Sequence, residues 1–470
     1  MDQGRYKSAG EIFRRLVIAR QKWNGDNDIN TFKAFECLGQ VLEHQGYFVK
    51  AEKMHRRTFE FRRDALGHGH LDTLSSMANL ASTFWDQGRW KEAEELKVQV
   101  METRKRVLGE EHLDTLGSMA NLALTFWNQG RWKEAEELEV QVMETSLRVL
   151  GSEHPDTLTS MNNLASTYRN QGRWKEAEEL EAQVIETSSR VLGGEHPSTL
   201  TSINNLASTY RKQGRWKEAK ELGMQVIETR KRVLGEEHPS TLSSMANLAS
   251  THRNQGWWKE AEELEVQVME TKKRVLGEEH PSTLTSINNL ASTYRNQGRW
   301  KEAEELEVQV IKTRKRVLGE EHPSTLKSIN NLASTYRNQG RWKEAEELEV
   351  QVMETRKRVL GEEHPDTLSS MANLALMYRN QGRWKEAEEL EVQVVETGKR
   401  VLGEEHPDTL TGMNNLAHTW KSQSHNEDAI SLMRKCCQLR KQILGPQHPY
   451  TEASLETLNE WQIENMEAGL

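Results

Sequence analysis

The amino-acid sequence predicts an all-α fold, a right-handed α-solenoid of antiparallel helix hairpins. Three observations carry this expectation. The fifteen-residue string NQGRWKEAEELEVQV stands at 296–310 and returns unchanged at 338–352. Its glycine recurs every 42 residues, at Gly4, Gly46, Gly88, Gly130, Gly172, Gly214, Gly256, Gly298, Gly340 and Gly382, with Ser424 in the eleventh place. Apolar residues recur at helical spacing, and no window alternates with period two. A fixed period between about 20 and 50 residues marks units too small to bury their own apolar face, which must therefore stack on their neighbours.

Each unit reads as two helices. In SMANLALTFWNQG, Met119, Leu122, Ala123 and Phe126 lie three, four and seven residues apart, the stripe of an amphipathic first helix. The turn glycine permits a left-handed backbone between the helices. In RWKEAEELEVQVMETSLRVLG, Trp132, Ala135, Leu138, Val142, Met143, Val149 and Leu150 keep a similar period, and Gly151 is a natural helix stop. Glu134, Glu136 and Glu137 crowd the first turn of this second helix, while Arg104, Lys105 and Arg106 crowd the last turn one unit earlier, the order that the helix dipole favours. The eight tryptophans from Trp90 to Trp384 that follow the turn are expected to pack on the core stripe. The connector GEEHPDTL places proline at the start of the next helix, where the missing N–H is no loss. Residues 1–31 are expected to hold a second helix without its first-helix partner, with Tyr6, Ala9, Ile12 and Leu16 on one stripe. Residues 32–451 form ten repeats, and 452–470 a capping helix.

Composition narrows the function. The 470-residue chain is 35% hydrophobic and 29% charged, with a net charge of -9 and a mean hydropathy of -0.81, lean for compact cores and suited to thin stacked layers. No basic face suggests nucleic-acid binding. No apolar run reaches the length of a membrane span, and none at the start resembles a signal peptide. Cys37, Cys436 and Cys437 are too few for a disulfide framework, which fits a reducing, cytoplasmic setting. Cys436 and Cys437 replace an apolar pair of other units and read as core.

The small-residue and glycine positions Leu80-Ala81, Phe84, Gly88, Trp90 and Ala93 resemble the tetratricopeptide repeat. The usual unit of that family has 34 residues. The eight additional residues here, with NNLA in the first helix and RVLGEEHP after the second, are similar to the repeats of kinesin light chain and to the near-identical arrays of fungal immune-receptor-like proteins that carry an upstream nucleotide-binding module. The resemblance implies a protein-binding scaffold, either the sensor array of such a receptor or a stand-alone cargo adaptor.

Several motifs invite chemistry and are better explained by structure. The recurrent EEH of the connectors comes one repeat apart each time, too far for ligands to converge on one ion, so the histidines are expected to cap or pack against the following helix. No glycine-rich phosphate loop or distinctive catalytic constellation occurs; no enzyme activity and no cofactor are expected. With the turn glycine counted as position fifteen, the resemblance places positions two, five, nine, twelve and thirteen on the concave face. Position five carries Asn162, Asn204, Asn288, Asn330 and Asn414. Position twelve carries Arg169, Arg211, Arg253, Arg295, Arg337 and Arg379, preceded by Trp85 and Trp127. Position six is asparagine from Asn79 to Asn415 and is expected to bond the adjacent helix. A bound protein segment would need acidic and aromatic character, since asparagine bonds of about 1 kcal/mol each do not cover an association cost of about 4 kcal/mol or more. Two alternatives stand beside this: the arginines pair with the array's own glutamates, and the two tryptophans cover the joint with the degenerate repeat at 32–66. Serine at position nine (Ser82, Ser166, Ser208, Ser250, Ser292, Ser334) departs from the carboxylate clamp of the family's chaperone-binding members.

Overall fold

The computed structural model describes residues 6–25 and 28–468, and every regular element among them is a helix, twenty-two in all, α1–α22. Gly4, where the period opens, lies outside the described residues. Helix α1 spans Tyr6–Asn24, and α2 (Ile29–His44) with α3 (Phe48–Leu66) forms hairpin 1. The series runs on to hairpin 10, α20 (Pro407–Ser422) with α21 (Asn426–Ile443), and closes on the single helix α22 (Pro449–Ala468). The outer boundaries fall three residues ahead of the repeat-counted ones, at Ile29 and Pro449, because the capping residues Asp28 and His448 set the helix starts.

Local chemistry fixes the joints. At the inner turn the Gly88 N–H donates to the Trp85 carbonyl at 3.0 Å and the Arg89 N–H to the Phe84 carbonyl at 2.9 Å, with Gly88 at φ +72°. This pair of bonds satisfies carbonyls left open at the helix end. Arg89 then lies 4.1 Å over the Phe84 ring and reaches Glu52 of the preceding hairpin at 3.1 Å. The same arginine clamp recurs at Arg131, Arg173, Arg215, Arg299, Arg341 and Arg383. Hairpin 6 exchanges all three partners: Trp257 replaces the arginine, His252 the ring and Lys220 the glutamate, and Lys220 sits 4.2 Å over the Trp257 ring. At the connector the histidine Nδ1 accepts the N–H two residues on, as His322 does from Ser324 at 3.0 Å. A buried threonine hydroxyl donates back to the preceding glycine carbonyl, Thr325 to Gly319 at 2.9 Å.

The core is a chain of small clusters, each joining one second helix to the next hairpin. Met101 from one unit packs with Leu116, Met119, Leu122 and Val142 of the next. Cys436 and Cys437 are buried in two such clusters, and burial pushes the Cys437 thiol up to about 11.

Between five and six repeats complete one superhelical turn, and successive turns touch. His280 Nε2 meets the His44 carbonyl at 3.0 Å, and the spacing of 236 residues repeats for His322 with Asp86, His364 with Asn128, His406 with Asn170 and His448 with Lys212. A Cβ on Gly46 would lie 2.4 Å from Pro281, and one on Gly130 2.2 Å from Pro365. The turn glycine therefore serves both the positive φ and the close approach of the next turn. Three of the tryptophans after the turn belong to this contact and three others, Trp258, Trp300 and Trp342, are exposed, which corrects the expectation that all eight pack on a core stripe. Trp90, Trp132 and Trp174 stack on His364, His406 and His448. Trp174 is 8% exposed under its cover, whereas Trp300, with no turn above it, is 40% exposed. As the first residue of its helix, this side chain stands at the rim of the layer.

Candidate functional site

The position-twelve arginines lie near the end of each first helix. Arg169 donates to Glu181 at 2.8 Å and reaches the Asn205 carbonyl of the following first helix at 3.4 Å. Arg253 stands 3.0 Å from Glu265 and donates to the Asn289 carbonyl at 3.1 Å. Arg295 donates to Glu307 at 3.2 Å and to the Asn331 carbonyl at 3.1 Å. Arg379 donates to the Asn415 carbonyl at 3.2 Å, with Glu391 4.0 Å away, and Arg337 lies in the field of Glu349. These glutamates hold position twenty-four of the repeat, on the second helix, and are buried. Thr209 and Thr335 hydroxyls donate to Glu181 and Glu307, each at 2.7 Å. Burial outweighs the guanidinium and hydroxyl partners, lifting Glu181 and Glu307 to about 7 and Glu349 to about 8. Five of the six arginines thus face the array's own carboxylates.

Hairpin 5, α10 (Pro197–Lys212) with α11 (Trp216–Leu234), breaks the pattern. Gly223 occupies position twenty-four, so Arg211 has no glutamate, and no hydrogen bond or ion pair holds it among the described residues. Burial, with Arg169 and Arg253 on either side, depresses its pKa. Asn204, two turns earlier on the same helix and half-buried, likewise makes no side-chain hydrogen bond among the described residues. The other position-five asparagines are engaged or covered. Asn162 donates to Ser202 at 2.9 Å, Asn330 accepts from Asn373 at 3.1 Å, Asn414 accepts from Ser454 at 3.1 Å, and Asn288 is buried. Asn373 and Asn79, both at position six, donate to the adjacent first helix.

The two tryptophans do not form one open apolar patch. Trp85 packs against Leu80, Phe84 and Ala93 with Phe59 of the preceding hairpin. Beside it Lys97 stands where others carry glutamate, donating to Thr125 at 2.8 Å and to the Asn121 carbonyl at 3.1 Å. Burial lowers Lys97 to about 8. In the next hairpin Glu139 holds the same position as Lys97, and burial raises it to about 7. Both indole N–H groups are buried without a partner among the described residues.

Sequence reasoning missed a second set of arginines, at position thirty-one. Arg62, Arg230, Arg314, Arg356 and Arg440 are buried. Arg230 donates to Ser244 at 2.7 Å, to the Ser240 carbonyl at 2.9 Å and to Thr201 at 2.8 Å, tying two hairpins together. The signal was present: Arg230 follows buried Val226 and Ile227 by four and three residues, on the same stripe. No group of three or more His, Cys, Asp or Glu is placed to hold a metal among the described residues, and no helix is long and apolar enough to cross a membrane.

Stacked antiparallel helix hairpins define a repeat scaffold. The comparisons name the family. Tetratricopeptide repeat models match six consecutive 42-residue units from 199 to 450, and also 30–106, 85–146 and 118–189, so the chain belongs to the tetratricopeptide repeat family. Among solved structures, a Podosopora anserina protein described as a putative kinesin light chain with nearly identical TPR-like repeats is 37% identical. It covers 43% of this chain and 95% of its own, with a TM-score of 0.37. BtubC (BKLC) from P. vanneervenii is 17% identical over 49% of this chain and 93% of its own, with a TM-score of 0.42. No curated protein matches.

Proposed function

We propose that the chain is an interaction scaffold that binds an extended, acidic protein segment along the face of its first helices, anchored at hairpin 5. The carrying observation is that Arg211 and Asn204 keep free hydrogen-bonding capacity where neighbouring arginines are paired with glutamates. A ligand carboxylate on Arg211 gains a charge-assisted bond of about 1.5–3 kcal/mol, roughly a tenfold to hundredfold change in affinity. An aromatic ligand residue beside Trp85 or Trp127 completes the segment. The setting is cytoplasmic. The near-identity of the repeats favours the sensor or regulatory array of a larger fungal-type receptor, and a stand-alone adaptor resembling kinesin light chain is the second reading. A nucleotide-binding module encoded upstream supports the first, a heptad segment the second.

The test is a peptide-array screen with the intact chain and two single variants. Gly223→Glu rebuilds the ion pair of the neighbouring hairpins; a Cβ there meets only Leu248 at 3.4 Å, an ordinary contact. It should remove acidic binders, while Arg295→Gln, whose wild-type partner is Glu307, should leave them largely intact. Acidic binders that survive Gly223→Glu and Arg211→Glu alike refute the assignment.

A further inference from the structure

Hairpin 5 departs from both of its neighbours at three charge-bearing positions, and each change moves charge in the same direction. At position thirteen, Asn170 and Asn254 of hairpins 4 and 6 flank Lys212. At position twenty-four, Glu181 and Glu265 flank Gly223, and at position twenty-one Glu178 and Glu262 flank Lys220. The unit gains one positive charge at Lys212, one at Gly223 and two at Lys220, four in all, within a chain whose net charge is -9.

These changes gather around Arg211. From hairpin 4, Arg169 reaches onto α10, its guanidinium 3.4 Å from both the Asn205 carbonyl and the Thr209 hydroxyl, two residues before Arg211. Burial and the charges of Arg169 and Arg253 depress the Arg211 guanidinium. Desolvation and the charge of Arg211, joined by Arg169 and opposed by Asp408 of the following turn, depress the Lys212 ammonium. Arg169 and Arg253 have Glu181 and Glu265 as partners, whereas neither Arg211 nor Lys212 has an ion pair or a side-chain hydrogen bond among the described residues. Lys220 sits 4.2 Å over the Trp257 ring and adds to the field rather than offering a free donor.

A carboxylate brings one negative charge, so it satisfies Arg211 and leaves Lys212 unmatched. A phosphoryl group on serine or threonine brings about 1.5 to 2 negative charges at neutral pH and three strong acceptor oxygens. Two of these oxygens fit the guanidinium fork, and the third is open to an ammonium. A polyanion such as nucleic acid would set its next phosphates against the flanking Arg169–Glu181 and Arg253–Glu265 pairs, which are already neutralised. A single phosphoryl group matches a single positive hairpin.

We propose that hairpin 5 reads a phosphorylated serine or threonine of the bound segment, with Arg211 holding two phosphoryl oxygens and Lys212 the third. This rests on the reading that an acidic segment lies along the first helices, and it narrows that reading: the position of the segment over hairpin 5 takes its charge from phosphate. The partner is then held tightly in its phosphorylated form and weakly without it.

Fluorescence anisotropy of the full chain with three short acidic peptides provides the test, the peptides differing only at one central residue, which is serine, glutamate or phosphoserine. The phosphoserine peptide should bind at least about tenfold more tightly than the glutamate peptide. Lys212→Asn, which restores the residue of both neighbouring hairpins, should bring that ratio close to unity. Gly223→Glu, which supplies Arg211 with a carboxylate of its own, should weaken both peptides, and circular dichroism of the two variants should keep the helical signal of the wild type. Equal affinity for the glutamate and phosphoserine peptides overturns the inference and leaves the acidic-segment reading standing. A phosphoserine preference that Lys212→Asn leaves unchanged, or a single-stranded oligonucleotide that binds more tightly than the phosphoserine peptide, overturns it as well. Failure of all three peptides to bind removes the acidic-segment reading and this inference with it.

Discussion

His322 allows one quantitative test of the contact between turns. Its Nδ1 accepts the Ser324 N–H at 3.0 Å, so the proton must sit on Nε2, which donates to the Asp86 carbonyl 3.2 Å away. Only the neutral ring makes both bonds; a second proton on Nδ1 would break the helix cap. Burial, reinforced by the charge of Arg314 and opposed by the bond to Asp86, lowers its pKa from 6.5 to about 4. The folded pKa lies below the unfolded value, so protons bind the opened state first. The contribution is whole above pH 6.5, declines as pH falls toward 4, and levels off below. Between pH 7.5 and pH 5 that shift removes about 2 kcal/mol from this joint. Raised carboxyls at Glu181, Glu307 and Glu349 act in the opposite sense, so the slope of the wild type alone is mixed. The informative quantity is the difference from His322→Asn, which keeps an N-cap oxygen but does not titrate. Amide exchange at the start of the helix Pro323–Asn338 should show the variant about 1 kcal/mol less protected at pH 7.5, for the lost bond to Asp86, and more protected at pH 5. A difference between the two proteins that does not change with pH would refute the tautomer and the contact built on it.

Other perturbations follow from the same geometry. Ser424 holds the turn at φ +67°, where every other inner turn has glycine, so Ser424→Gly should stabilise hairpin 10 by about 1 kcal/mol in exchange or denaturant melts. Trp174→Ala, which uncovers His448, should weaken its joint by about 3 kcal/mol, and Trp300→Ala by about 1 kcal/mol, because Trp300 is already 40% exposed. Deleting one whole period, 297–338, should leave a folded array with a slightly lower melting temperature, since each hairpin packs on its neighbours and the next repeat's equivalent His-Pro connector takes the place of the deleted one between turns; global unfolding of that deletion would contradict the layered core.

The hairpins were legible because their signals are local and repeated. Leu116, Met119 and Leu122 mark a helix face wherever they occur, Gly130 can only be a turn, and the His-Pro pair reads as a cap followed by a first helical residue. The contact between successive superhelical turns was not legible, since that of His406 with Asn170 joins residues 236 apart and depends on curvature that no single unit encodes. The tryptophans were misplaced for this reason: Trp174 has an apolar residue's sequence context, and its partner is a histidine one full turn away.

The row of arginines at position twelve was legible in the sequence, and the structure divides it. Arg253 and Arg295 look alike to Arg211 along position twelve, and the difference lies twelve residues on, where Glu265 and Glu307 give way to Gly223. That glycine needs no special backbone angle, being helical, and its Cβ would meet only an ordinary neighbour. In an array this uniform, a glycine without a backbone reason is best explained by what it removes, the carboxylate that would occupy Arg211. On the function proposed above, the departures from the repeat carry the specificity, since the neighbouring units repeat each other's pairings.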